Sequence, residues 1–164
     1  MVISFMKKVL IASVVLSAVL SLSSCGSSTA EQIQQLQQLQ KQLSEQASQN
    51  LANIDSLQTK IAKYRLQADD LQKESDKLGS DIDDLKKAYS NFSDPNNDSA
   101  IAVNKELVQK TLQKAKIDEK INEYRTLANG YQSQINNLKA TSQTQANQAS
   151  KIAQQIVELQ SKSK

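Results

Sequence analysis

The sequence predicts an all-α fold: a long antiparallel helical hairpin, or coiled coil, open to self-association into a helical bundle. Three observations predict it. Apolar residues recur every seven positions from Ile33 to Phe92 with no slip of phase, which argues for a coiled coil. The only proline, Pro95, sits in a polar segment that separates two stretches of nearly equal length. Glycine is scarce, His and Trp are absent, and Gln, Lys, Ser, Leu and Asn are plentiful. That is the composition of long helices, with little to build a large globular core.

In chain order, the first element is a leader. Lys7 and Lys8 precede an apolar run over residues 9–22, broken only by Ser13, Ser17 and Ser21. A basic start, a short apolar run and small residues at its end predict a secretory signal peptide over residues 1–24, removed in the mature chain. The run is short of the roughly 20 residues that a membrane span needs. Met6 is as natural a start as Met1.

Leu22-Ser23-Ser24-Cys25 resembles the lipobox of bacterial lipoproteins: an aliphatic residue, two small residues, then cysteine. The resemblance covers the leader alone. It implies recognition of Leu22, Ser23, Ser24 and Cys25 by a dedicated signal peptidase, a diacylglyceryl thioether on Cys25, and Cys25 as the mature N-terminus. It implies a bacterial cell-envelope protein, exported and lipid-anchored. The site would be the outer leaflet of the plasma membrane in Gram-positives, or the outer membrane in Gram-negatives, which Gly26 allows. Two acyl chains suffice for stable anchoring. Cys25 is the only cysteine, so the chain has no internal disulfide, and lipidation accounts for a lone thiol in an exported protein.

Charge excludes one class of partner. The leader carries Lys7 and Lys8 and no acid, so the 20 basic residues become 18 against 17 acids, a net of +1 in the mature chain. Nucleic-acid binding has no electrostatic footprint there.

Residues 25–30 read as the lipidated cysteine and a polar tether, with Thr29 placed to cap the first helix. Residues 31–92 read as helix 1. Its a positions are Ile33, Gln40, Ala47, Ile54, Ile61, Ala68, Ser75, Ile82 and Tyr89; its d positions are Leu36, Leu43, Asn50, Leu57, Tyr64, Leu71, Leu78, Leu85 and Phe92. Residues 93–99 are the turn, where Pro95 disfavours helix in the preceding residue and Asn, Asp and Ser supply turns and caps. Residues 100–162 are helix 2, and residues 163–164 a short tail. The seam of helix 2 runs through Ile117, Ile121, Tyr124, Ala128, Tyr131, Ile135, Leu138, Ala149, Ile152, Ile156 and Leu159. Ile101, Val108, Leu112 and Ala115 follow a shifted phase, which predicts a register irregularity between Ala115 and Ile121.

Antiparallel pairing follows when facing residue numbers sum to about 192, because a positions then meet d positions. Leu36 faces Ile156 and Leu71 faces Ile121. Tyr64 falls opposite Ala128, and Tyr124 opposite Ala68, large against small. Asp69, Asp70, Glu74, Asp76, Asp81, Asp83 and Asp84 come to lie across from Lys105, Lys110, Lys114, Lys116 and Lys120. Gln40, Ala47, Asn50, Ser142, Gln145 and Ala149 weaken the seam near the termini and predict looser pairing there. Leu39, Leu51 and Leu66 stand off the seam as candidates for contact with further helices.

Catalytic chemistry finds no residues to carry it. Without His there is no nucleophile–base set, and three separated glycines make no phosphate loop. Paired carboxylates such as Asp69-Asp70 and Asp83-Asp84 read as solvated helix faces. Asp94, Asn96 and Asp98 have spacing that resembles the start of a calcium-binding EF-hand loop. Ser99 stands where the loop requires Gly, Lys105 where it requires Glu, and Glu106 is one residue late, so the segment reads as a capped turn and no metal is expected. Lys164 resembles the terminal lysine of Braun's murein lipoprotein, a shorter lipid-anchored heptad helix, and that resemblance implies a peptidoglycan attachment point.

The expectation is a non-catalytic, lipid-anchored envelope spacer or protein-docking rod, with neither cofactor nor small-molecule substrate. About 60 helical residues at about 1.5 Å each would give a reach of roughly 90 Å. The tip residues Asp94, Pro95, Asn96, Asn97 and Asp98 would meet an envelope protein partner, or the helices would self-associate. A peptidoglycan-associated tether through Lys164 is one alternative; a plasmid or prophage exclusion lipoprotein is another.

Overall fold

A computed structural model describes residues 28–162; the leader, Leu22 to Cys25, and Lys164 lie outside the described residues. Two helices make up the fold, α1 (Thr29–Ser90) and α2 (Asp98–Lys162), and they pack as an antiparallel hairpin. Among the described residues there is no strand, and neither helix is long and apolar enough to cross a membrane.

Three of the four helix boundaries fall two residues from their sequence-based positions, while α2 ends at Lys162 as expected, and local hydrogen bonds explain the shifts. The start of α1 is capped by Ser28, not Thr29. Ser28 Oγ accepts from the Glu31 amide at 3.4 Å, and Glu31 Oε2 accepts from the Ser28 amide at 3.0 Å. This reciprocal capping box satisfies two amides that the helix end leaves open. The end of α1 tightens: the Asn91 amide donates to Ala88 O and that of Phe92 to Tyr89 O, three-residue spacings that close the last turn. Asn97 begins α2, accepting the Ala100 amide on Oδ1 at 2.8 Å, so Asp98 is already helical.

The chain divides into two packed units. The first is Met1–Gln46 with Thr144–Lys164. Its described part is held by Leu36, Leu43, Ile152 and Ile156, with Ile33, Leu39, Ala149 and Leu159 packed around them. Leu39 therefore belongs to this core and is not a free off-seam leucine. A buried Gln145 donates Nε2 to Gln46 Oε1 at 2.9 Å, so the polar step in this seam is hydrogen-bonded.

The second unit is Ala47–Gln143. One cluster joins Ile54 and Ile61 of α1 to Ala128 and Ile135 of α2, with Leu57, Tyr64, Tyr131 and Leu138 against it. A second joins Ala68 and Leu78 to Ile117 and Ile121, with Leu71 and Tyr124 against it. Rising numbers on α1 meet falling numbers on α2, as antiparallel pairing requires. The tyrosines fit because their neighbours are small: Ala68 is 1% and Ala128 2% exposed. Tyr64 lies 5.6 Å from Tyr124 and 6.0 Å from Tyr131 between ring centroids. Such ring pairs contribute about 0.5–1.5 kcal/mol beyond burial. Ser142 Oγ donates to Ala47 O at 3.4 Å within the same unit.

All the a and d positions from Ile33 to Phe92 are buried or half-buried, Phe92 lying just past the end of α1. The seam of α2 is equally regular, which corrects the irregularity expected between Ala115 and Ile121. Ala100, Val103, Leu107, Lys110, Lys114, Ile117 and Ile121 continue one unbroken three–four spacing, all buried or half-buried. Ile101, Val108, Leu112 and Ala115 are exposed. Lysine takes two seam positions because its aliphatic stem packs while its ammonium reaches the edge.

Candidate functional site

The sequence points to the turn as the working tip, and the structure builds it from local hydrogen bonds. Asp94 Oδ1 accepts the Asn96 amide at 2.9 Å, a side-chain turn over Pro95. Asp94 O accepts from Asn97 Nδ2 at 2.9 Å. Asn97 Oδ1 caps α2, so one side chain ties the turn to the helix it starts. Asp94, Pro95, Asn96 and Asp98 are exposed, whereas Asn97 is half-buried. Asp98 lies in the first turn of α2, where the helix dipole favours a negative charge.

The spacing of Asp94, Asn96 and Asp98 thus resolves into a turn and a cap. Asp94 uses a carboxylate oxygen on backbone, and Asn97 supplies the cap from within the loop. Among the described residues no group of three or more acidic, His or Cys side chains is placed to hold a metal ion. What the tip offers is a fixed polar loop with exposed carboxylates and amides, suited to hydrogen bonding with another molecule.

Behind the tip, the seam carries charge. Lys110 Nζ lies 2.6 Å from Asp81 Oδ2 across the two helices and 3.7 Å from Glu106 on its own helix. The Lys110 hydrogen bond holds the Asp81 carboxyl below its ordinary value, and partial burial opposes this. The same bond to Asp81 raises Lys110 above its ordinary value. One turn further along α2, Lys114 Nζ donates to Asp118 Oδ2 at 2.7 Å, and the fully buried Ser75 donates its hydroxyl to Asp118 Oδ1 from α1. The hydrogen bond from Lys114, then that from Ser75, lowers the Asp118 carboxyl. No buried side-chain nitrogen or oxygen among the described residues lacks a partner.

The broad electrostatic pairing expected across the helices narrows to this one ion pair. Lys73 binds Asp70, Lys86 binds Asp83 and Lys87 binds Asp84, each within α1 at a spacing of three. On a helix surface such neighbours lie closer than residues across the seam. Lys110, Lys114 and Ser75 were legible as charged or polar residues, but only Ser75 as a seam position. Extending the Ile117 phase backwards by alternate fours and threes would have found the lysines.

Leu51 and Leu66, read as off-seam contacts, are 58% and 63% exposed. Neither belongs to a core cluster. Cys25 and its lipobox, and Lys164, lie outside the described residues. No protein-family model, curated protein or solved structure matches this chain.

Proposed function

We propose that this chain is a lipid-anchored, non-catalytic protein of a bacterial envelope, in which the helical hairpin serves as a spacer or docking element. The observation that carries the reading is Leu22-Ser23-Ser24-Cys25 at the end of a basic-then-apolar leader. It gives the only cysteine a role and sets the membrane as the first partner through two acyl chains. A second observation supports docking. The turn keeps its shape through Asp94 and Asn97 while Pro95, Asn96 and Asp98 stay exposed, so a partner meets a surface already ordered.

Labelled palmitate tests the anchor. Cells expressing the full chain should incorporate label and retain the protein in the membrane fraction, and Cys25→Ser should abolish both. Equal labelling of the two overturns the assignment. The docking element is tested by affinity capture from intact envelopes with residues 94–99 replaced by a Gly-Ser turn. Loss of a captured protein with the helices intact supports the tip; an unchanged set for tip and helix-face variants removes the docking reading.

A further inference from the structure

Near the turn, α2 carries two heptad stripes. The first, Ala100, Val103, Leu107, Lys110, Lys114 and Ile117, is spent on α1. The second is Ile101, Lys105, Val108, Leu112, Ala115 and Glu119, with the same alternation of fours and threes, and all six are exposed. Ile101, Val108 and Leu112 remain 55%, 51% and 59% exposed. Single exposed leucines need no explanation, but a stripe in strict heptad spacing over about 27 Å of helix has the pattern of an interhelical seam.

We propose that this second stripe is the contact surface for a second copy of the chain, with α2 packed antiparallel on the partner's α2. Charge selects the occupant and its direction. Among the described residues, neither Lys105 nor Glu119 makes an ion pair within the chain. In antiparallel pairing centred between Val108 and Leu112, Val108 meets Leu112 of the partner subunit and Lys105 meets Ala115 of the partner subunit. Glu119 of the partner subunit stands opposite Ile101, one layer from Lys105 and within reach of its long side chain, and symmetry repeats the pair. Parallel pairing instead sets Lys105 on Lys105 of the partner subunit and Glu119 on Glu119 of the partner subunit, and like charges in a seam select against it.

Four apolar side chains per copy fall below the roughly 20–30 residues a side of a standard interface, so the dimer is weak and concentration-dependent.

The test is sedimentation equilibrium of the purified full chain, carrying Cys25→Ser so that neither lipid nor thiol contributes, in density-matched detergent up to roughly 100 μM. A monomer–dimer equilibrium is expected, and Leu112→Ser should remove the dimer while far-ultraviolet circular dichroism keeps its helical amplitude. Lys105→Glu should weaken the dimer, and Lys105→Glu with Glu119→Lys should restore it. A chain that stays monomeric, or a dimer indifferent to Leu112→Ser, overturns the interface. A double charge variant no better than the single one overturns the antiparallel pairing.

Discussion

Lys110 Nζ sits 2.6 Å from Asp81 Oδ2, and among the described residues this is the one ion pair that joins α1 to α2. The two side chains are partly shielded, with Lys110 27% and Asp81 36% exposed. Its consequence for stability is a dependence on pH at both extremes.

The folded state holds the Asp81 and Asp118 carboxyls below the ordinary aspartate value of 3.8. A depressed carboxyl contributes stability that is present above its unfolded value and is lost as pH falls through the folded one. Lys110 is raised above 10.5, so its contribution is complete below that value and is lost as pH rises through the folded one. Urea midpoints should therefore be level through neutral pH, then fall below about pH 4 and above about pH 10.5. Asp81→Asn should lower the neutral plateau and flatten both limbs. A variant with limbs as steep as the wild type would show that the pair does not set them.

Core and surface leucine-type positions should separate sharply. Ile135 is 1% exposed in the cluster with Ile54, Ile61 and Ala128. Ile135→Ala removes packed methyl groups and should cost about 2–5 kcal/mol. A two-helix core is small, so this fraction of total stability should show as a large drop in the melting midpoint. Leu66, 63% exposed, should tolerate Ala within about 0.5 kcal/mol. Chemical denaturation of both variants measures the contrast, and similar losses would mean that Leu66 is covered in solution.

The two helical glycines should both accept alanine. A Cβ at Gly130 meets nothing within 4 Å, and one at Gly79 meets Lys114 Cε at 3.6 Å, an ordinary contact. Alanine restricts the unfolded chain and suits a helix interior, so each change should stabilise by about 0.5–1 kcal/mol. Because a Cβ at Gly79 touches Lys114 and one at Gly130 touches nothing, the two sites share no neighbour and the gains should add. A loss at Gly79 would mean that the Lys114 stem cannot give way.

The repeat from Ile33 to Phe92 made α1 readable because each a and d position is covered. The same rule misled on α2 when apolar type alone marked the seam. Val108 and Leu112 look like core residues and are exposed, whereas Lys110 and Lys114 look like surface residues and fill the seam. Spacing outweighed hydrophobicity because lysine can bury its stem and still place its ammonium against Asp81 or Asp118. The turn was legible from Pro95, but its fine structure was not. Which of several Asn, Asp and Ser residues caps a helix depends on hydrogen-bond geometry, and Ser28 and Asn97 took roles that Thr29 and its neighbours could equally have filled. The charge pattern across the helices does not translate into cross-helix pairs, since three of the α1 aspartates find lysines on their own helix.

Pairing at the ends of the helices is open to a direct chemical test. Leu36 and Ile156 share one buried cluster, at 7% exposure each. In a Cys25→Ser background, Leu36→Cys with Ile156→Cys should form an intramolecular disulfide on mild oxidation. The product should run faster on a non-reducing gel, with a yield independent of protein concentration. Gln37→Cys with Ile156→Cys is the control, because Gln37 is exposed and turned from the seam. A disulfide needs its Cβ atoms at about 3.5–4.5 Å, so a one-residue rotation around α1 should suppress the bridge. If both pairs oxidise equally, the ends slide or fray and the buried cluster does not fix their register. If only concentration-dependent dimers form, the helices pair between chains and not within one.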